Sequence, residues 1–436
     1  MPVKDELTPM EASYIATNAY FTLKDWIQGT PVAGVETRAN VHNRVLGPGT
    51  AGKVDPAQAN PSLAGTALGG ARLGQIFSGS TGFATSGFGY VLQLKQGDRR
   101  HAVIATRGTR PEMAGKHDLL TDARGAMTGF GDYGLVHKGF KRTFESIVPQ
   151  LAASERVIMD ADVVHCVGHS LGGAVATLVA AHYRGRGKNV KLYTFGSPRV
   201  GAFGAYTAMH REIGQPNILR VAHDLDPISL IGPFPYIHVN PAPGDDNNMT
   251  IPSPTGQLFS TANHDMNRYI RSVGGINATW DAARGLAGRV DHDNAVLARW
   301  LLHEDNDPGW VQYASAKTLS LLFKLFAHVL RTVSTSVIVG LSALDLLVEL
   351  LLTGLYKAAA LGAQVYSMLR HAASWAGITV AAGAEFTAQI LRRIVGAMLS
   401  RLQQIAMLSL TAVTHELLPL PLLVAGGWQL AQGLPL

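Results

Sequence analysis

The chain has 436 residues, of which 47% are apolar and only 16% charged, with a formal net charge of +6. That length exceeds one average domain and the apolar content supports a large core. The modest basic charge excludes acidic solvated disorder and suits an anionic membrane surface, whereas no Lys/Arg cluster interleaves with aromatics, so nucleic acid is not an expected partner.

A single cysteine, Cys166, rules out an intramolecular disulfide and leaves the redox compartment open; in an apolar run it reads as a small core residue. The first residues include Lys4, Asp5 and Glu6 and contain no uninterrupted apolar stretch, so no Sec signal peptide is expected and export would use another route.

The first predicted element is a helix. Thr8 is its N-cap, Pro9 suits the first helical position and Glu11 completes a capping box. Ile15, Ala19, Leu23 and Trp26 share a face, and Gly29 ends it. From about Gly34 to Gly89 the chain is rich in Gly, Ala, Pro and Asn and reads as a wrapping segment with little regular structure. Phe88 to Leu94 and Ala102 to Thr106 then read as strands joined by a turn at Gln96-Gly97-Asp98. A helix is expected within Lys138 to Leu151, strands at Val163 to Val167, Val190 to Phe195 and Ile218 to Ala222, and an Ala/Val-rich helix from Gly172 to Tyr183. This alternation predicts an α/β fold, a mostly parallel sheet covered on both faces.

Gly168-His169-Ser170-Leu171-Gly172 matches G-x-S-x-G between a strand and a helix. That setting forces the serine into a strained turn above the sheet edge, and the glycines avoid clashes of a Cβ with the adjacent strand and helix. The helix N-terminus adds a positive dipole where an oxyanion would form. A serine needs a base and an orienting acid to act as a nucleophile, and in this architecture both follow it in the chain. Asp226, in His223-Asp224-Leu225-Asp226-Pro227 after a strand, is the preferred acid, with Asp224 in reserve. Of the histidines, His223 precedes the acid and His238 lies in a strand-like run. His264, opening a helix after a loop, is best placed to swing over the sheet edge as base.

Several motifs stand in one order: Ile104-Ala105-Thr106-Arg107-Gly108-Thr109, Val136-His137-Lys138-Gly139-Phe140, GHSLGG at 168–173, Tyr193 to Gly201, Asp226-Pro227, and His264 with Tyr269. Over roughly Val91 to Tyr269 the chain resembles the class 3 (fungal-type) lipases of the α/β-hydrolase fold. The resemblance implies Ser170, Asp226 and His264 as a triad, Thr109 and the backbone N–H of Leu171 as oxyanion donors, a lipid ester as substrate, and no metal or organic cofactor. One departure concerns the lid: Arg110 to His117 contains Pro111 and Gly115 and is not strongly amphipathic. The family pattern also leaves the first ninety residues and the C-terminal region unaccounted for.

Weaker features remain. Gly244-Asp245-Asp246-Asn247-Asn248 lacks EF-hand spacing and reads as a solvated loop, and His303 to Asp307 as a polar linker before Pro308. After Trp310 only twelve of 126 side chains are Asp, Glu, Lys or Arg, basic outnumbering acidic two to one. Lys317, Lys324, His328 and Arg331 form a basic stripe on a greasy helix, which suits a membrane interface or a helical cap. The longest charge-free run after Trp310, Leu417 to Leu436, carries three prolines, which argues against a conventional spanning helix. The expected organisation is therefore an N-terminal helix and wrapping segment over 1–90, an α/β-hydrolase core over 91–310, and an apolar helical region over 311–436. The rival reading is a membrane-inserting, toxin-like protein in which the hydrolase part is secondary. A greasy tail on a lipase-like core is also reminiscent of effectors exported by contact-dependent routes, which would bring a secretion or immunity partner.

Overall fold

The computed structural model describes residues 5–20, 22, 72–80, 85–96, 98–108, 127–230, 236, 238, 247–255, 261–274, 278–301, 348–349, 351–353, 355, 359–381, 383–398 and 400. Leu23, Trp26, Gly29, Arg110 to His117, Gly244 to Asp246, His303 to Asp307, the basic stripe from Lys317 to Arg331 and the run Leu417 to Leu436 lie outside them.

Helix α1 runs Pro9–Asn18 and opens with the expected reciprocal cap. Thr8 Oγ1 accepts the Glu11 N–H at 3.2 Å and Glu11 Oε2 accepts the Thr8 N–H at 2.8 Å, satisfying two otherwise free donors. The helix ends at Asn18, earlier than Gly29 would place it, and Ala19 is its C-cap.

The α/β core is a seven-stranded sheet in the order β1 (Arg72–Ser80), β2 (Thr85–Gln96), β3 (Arg99–Thr106), β6 (Val163–His169), β7 (Val190–Phe195), β8 (Ile218–His223) and β9 (Asn248–Ile251). A separate two-stranded ribbon pairs β4 (Met127–Gly129) with β5 (Leu135–His137). The two pairings at the β1 end are antiparallel and the four from β3 to β9 are parallel, so the sheet is mostly parallel as expected.

Strand β1 overturns part of the expectation for Gly34 to Gly89. Its sequence, RLGQIFSGS, holds too few apolar residues to read as a strand. Its partners lie outside the strand itself: the neighbouring β2, paired antiparallel, and the distant Gln150, whose side chain takes the Ser78 N–H at 2.9 Å and gives a hydrogen bond to the Ser78 carbonyl at 2.8 Å. Burial of the backbone is thus met by a ladder plus one amide side chain.

Helices α2 (Lys138–Leu151), α4 (Leu171–Gly185) and α5 (Phe203–Ile213) cover one face of the sheet, enclosing Ile104, Val164, Cys166, Ala174, Leu178 and Met209; the short α3 (Glu155–Asp160) lies between α2 and β6. Helices α1, α6 (Met266–Val273) and α7 (Trp280–Leu301) cover the other, enclosing Ala12, Ile15, Val167, Phe195, Met266 and Trp280. All seven residues of β6 are buried, as a parallel strand covered on both faces requires. Burial pushes the Cys166 thiol well above its usual range, consistent with a core role. Helix α8 (Ala359–Trp375) approaches α7 and buries Val365, Met368, Leu369 and Ala372. No helix among the described residues is long and apolar enough to cross a membrane.

Candidate active site

Strand β6 ends at His169 and α4 begins at Leu171, leaving Ser170 as the single residue between them. Its φ of 58° and ψ of −133° make it the one non-glycine residue with positive φ among the described residues. Such a backbone costs on the order of 1–3 kcal/mol and is held by its surroundings. Here the Ser170 N–H donates to the Phe195 carbonyl at 2.9 Å and the Ser170 carbonyl accepts from Gly173 at 2.9 Å. The flanking glycines permit the tight turn: a Cβ on Gly168 would run into the Gly172 carbonyl, and one on Gly172 into the Thr106 carbonyl. Strain and crowding together raise the Ser170 hydroxyl at the carboxyl end of the parallel strands.

His264 reaches the same place from the far side of the sheet, between a 3-10 turn at Thr261–Asn263 and α6, whose N-cap is Asp265. His264 Nε2 lies 2.9 Å from Ser170 Oγ and Nδ1 lies 2.8 Å from Asp226 Oδ2. In the neutral ring the Ser170 hydroxyl donates to Nε2 and Nδ1–H donates to the carboxylate. Asp226 follows β8, is fully buried, and accepts the Ile228 N–H on Oδ1 at 2.8 Å and the Tyr269 hydroxyl on Oδ2 at 2.6 Å.

The competing residues are engaged elsewhere. Asp224 accepts the Ser253 N–H at 2.9 Å. His223 Nδ1 faces the Asn263 carbonyl at 2.8 Å and Nε2 the Ser272 hydroxyl at 3.0 Å; burial brings its pKa down to about 4. His238 Nε2 accepts from the Arg220 guanidinium at 2.9 Å and also lies 2.9 Å from the Ser229 carbonyl. Tyr236 and His238 stand in no strand, contrary to the strand-like reading of that run. Leu171, buried, is the first residue of α4, where helical N–H groups have no intrahelical acceptor. Thr109 lies outside the described residues. No group of three or more His, Cys, Asp or Glu side chains among the described residues could hold a metal ion.

Sequence reading gave Tyr269 no role beyond its resemblance and did not single out Tyr20 or the His169 side chain. The five-residue spacing from His264 to Tyr269 was a usable signal, because the first turns of α6 bring both back to Asp226. Nothing in the sequence tied Tyr20 to a residue 149 positions away.

Residues 103–235 match the family model described as Lipase (class 3). Over these residues the α/β core is similar to the class 3 lipases. Among curated proteins, the chain is similar to secreted mono- and diacylglycerol lipase 1 of Fusarium solani, 37% identical over 24% of this chain and 33% of that protein. Secreted mono- and diacylglycerol lipase A of Penicillium cyclopium is 34% identical over 33% of this chain and 43% of its own length. Phospholipase A1-II 4 of Oryza sativa subsp. japonica is 29% identical over 46% of this chain and 56% of its own. The chain thus spans less than half the length of the two fungal relatives.

Proposed function

We propose that the protein hydrolyses carboxylic esters of lipids through an acyl-enzyme on Ser170. The observation that carries this is the buried chain Ser170 Oγ–His264 Nε2, His264 Nδ1–Asp226 Oδ2, at 2.9 and 2.8 Å, set on a strained turn between strand and helix. In this reading His264 takes the serine proton as Oγ attacks the acyl carbon. Asp226 holds the imidazole in the Nδ1–H tautomer and balances its positive form. The Leu171 N–H and Thr109 stabilise the oxyanion, a term worth several kcal/mol where two donors are preorganised. His264 returns the proton to the leaving alcohol, water clears the acyl group, and no cofactor enters the route.

The names of the relatives span glycerides and phospholipids, so both are candidate substrates. The sparsely charged region 311–436, with the basic stripe Lys317, Lys324 and Arg331, is proposed to hold the enzyme at an anionic membrane surface. Charge reversal at the three basic positions then weakens binding to anionic liposomes and leaves turnover of a soluble short-chain ester intact. Unchanged liposome binding would make the region a structural cap.

The test of the chemistry is Ser170→Ala together with a serine-reactive phosphonate. The variant loses roughly four to six orders of magnitude in kcat and the reagent labels Ser170 in the parent. Labelling of another serine, or full activity in the variant, refutes the reading.

A further inference from the structure

Two polar side chains beside the triad have no part in the route above. Tyr20, just past α1 and buried, places its hydroxyl 2.6 Å from His169 Nδ1. His169 Nε2 lies 2.9 Å from the His264 carbonyl. A carbonyl only accepts, so Nε2 carries a proton; the neutral ring then accepts on Nδ1 and Tyr20 is the donor. The His169 ring also stacks on the His264 ring, with centroids 4.6 Å apart and planes at 30°. The Tyr20 hydroxyl stands on the serine side of this stack, where a Cβ on Gly108 would collide with it and lie 2.8 Å from Ser170 Cβ.

We infer that Tyr20 and His169 are positioning residues for His264: Tyr20 fixes the tautomer of His169, which holds the His264 main chain and ring plane and stays uncharged beside it. The inference rests on the reading of Ser170, His264 and Asp226 as the triad. Its physical content is electrostatic as well as geometric. His264 becomes positive as Ser170 attacks, and a second cation 4.6 Å away would oppose that charge. Burial, and next the neighbouring His264, hold His169 well below the ordinary histidine range. The groups facing His169 come from several elements: Tyr20 after α1, His264 before α6, Tyr269 edge-on at 5.9 Å in α6, and His223 at the end of β8, with Asp226 behind His264 and Tyr269. A hydrogen bond donated to Nδ1 favours the neutral ring, so losing it raises the affinity of His169 for a proton.

Tyr20 is delivered by a well-anchored segment. The Leu7 N–H donates to the Tyr193 hydroxyl at 3.0 Å, Trp280 Nε1–H to the Leu7 carbonyl at 2.8 Å, and the Tyr90 hydroxyl to the Ile15 carbonyl at 2.9 Å. The last bond allows a control, because Tyr90→Phe loosens α1 without touching His169.

The experiment measures the rate of Ser170 phosphonylation against pH in the full chain, with Tm, for the parent, Tyr20→Phe, Tyr90→Phe and Tyr20→Phe combined with His169→Gln. Tyr20→Phe is expected to slow labelling about tenfold at neutral pH and to move the acidic limb to higher pH. Tyr90→Phe keeps the parental rate and limb whatever its Tm. Glutamine can still donate to the His264 carbonyl but cannot take a proton, so the double variant returns the limb to its parental position. Parental behaviour in Tyr20→Phe, slowing of both tyrosine variants in proportion to lost Tm, or no return of the limb overturns the inference. A parent not labelled at Ser170 overturns the esterase reading beneath it.

Discussion

The Tyr269 hydroxyl donates to Asp226 Oδ2 at 2.6 Å, the same oxygen that faces His264 Nδ1 at 2.8 Å. With Ile228 N–H on Oδ1, the buried carboxylate is aimed by three donors, two of them on the oxygen that meets the imidazole. A hydrogen bond to a charged group is worth about 1.5–3 kcal/mol. Tyr269→Phe is therefore expected to lower kcat on a soluble ester by about tenfold or more with little change in KM. Parental kcat in a folded variant would show that Ile228 and His264 alone suffice to orient Asp226.

His264 and His238 separate cleanly by substitution. His264→Ala removes the group facing both Ser170 and Asp226, and near-complete loss of ester hydrolysis is expected. His238→Ala removes contacts to Arg220 and Ser229, neither of which belongs to the Ser170–His264–Asp226 chain, so a lowered Tm with substantial residual activity is expected. A folded but inactive His238→Ala beside an active His264→Ala would reverse the assignment.

Gly196 makes room for Asp226 and His264 to meet. Its φ is +54°, and a Cβ there would stand 2.6 Å from Asp226 Oδ2 and 3.1 Å from His264 Nδ1. Gly196→Ala should cost about a hundredfold in kcat, because a displacement near 1 Å in a reacting constellation has that effect. Activity and circular dichroism measured together test it: native spectra with parental kcat would mean that the site relaxes around the methyl group.

A second buried histidine pair, at the opposite ends of β3 and β6 from the Ser170 turn, should make stability depend on acid. His101 Nδ1 and His165 Nε2 are 3.0 Å apart, and His165 Nδ1 is 3.3 Å from the Tyr193 hydroxyl. Burial first, then His101 and Lys191, hold His165 well below its ordinary range; burial also lowers His101, against the pull of Asp5. The folded values lie below the unfolded one, so above about pH 6.5 the pair carries no penalty. As pH falls below that, the unfolded chain binds protons the folded chain refuses, and stability is lost. Denaturant titrations at pH 7.5 and 5.5 should show the fall, and His165→Gln should lessen it. Equal pH dependence in parent and variant would place the acid sensitivity elsewhere.

Local pattern carried much of this protein. The capping box of Thr8 and Glu11, the apolar strands β6 to β8 and the glycines around Ser170 are decided by chemistry between near neighbours, so they were legible from the chain alone. The order of Ser170, Asp226 and His264 was legible for a related reason: parallel strands deliver their carboxyl ends to one edge. Strand β1 was not, because its stability comes from β2 and from Gln150 rather than from its own Gly- and Ser-rich residues. Asp226 rather than Asp224 was decided in space, where one carboxylate turns towards His264 and the other accepts the Ser253 N–H. Tyr20 and Tyr269 lay furthest from view. Each meets its partner through a directed side-chain hydrogen bond from a distant or differently oriented segment, and hydropathy does not encode the direction of such a bond; the packing of α1 and α6 on the sheet does.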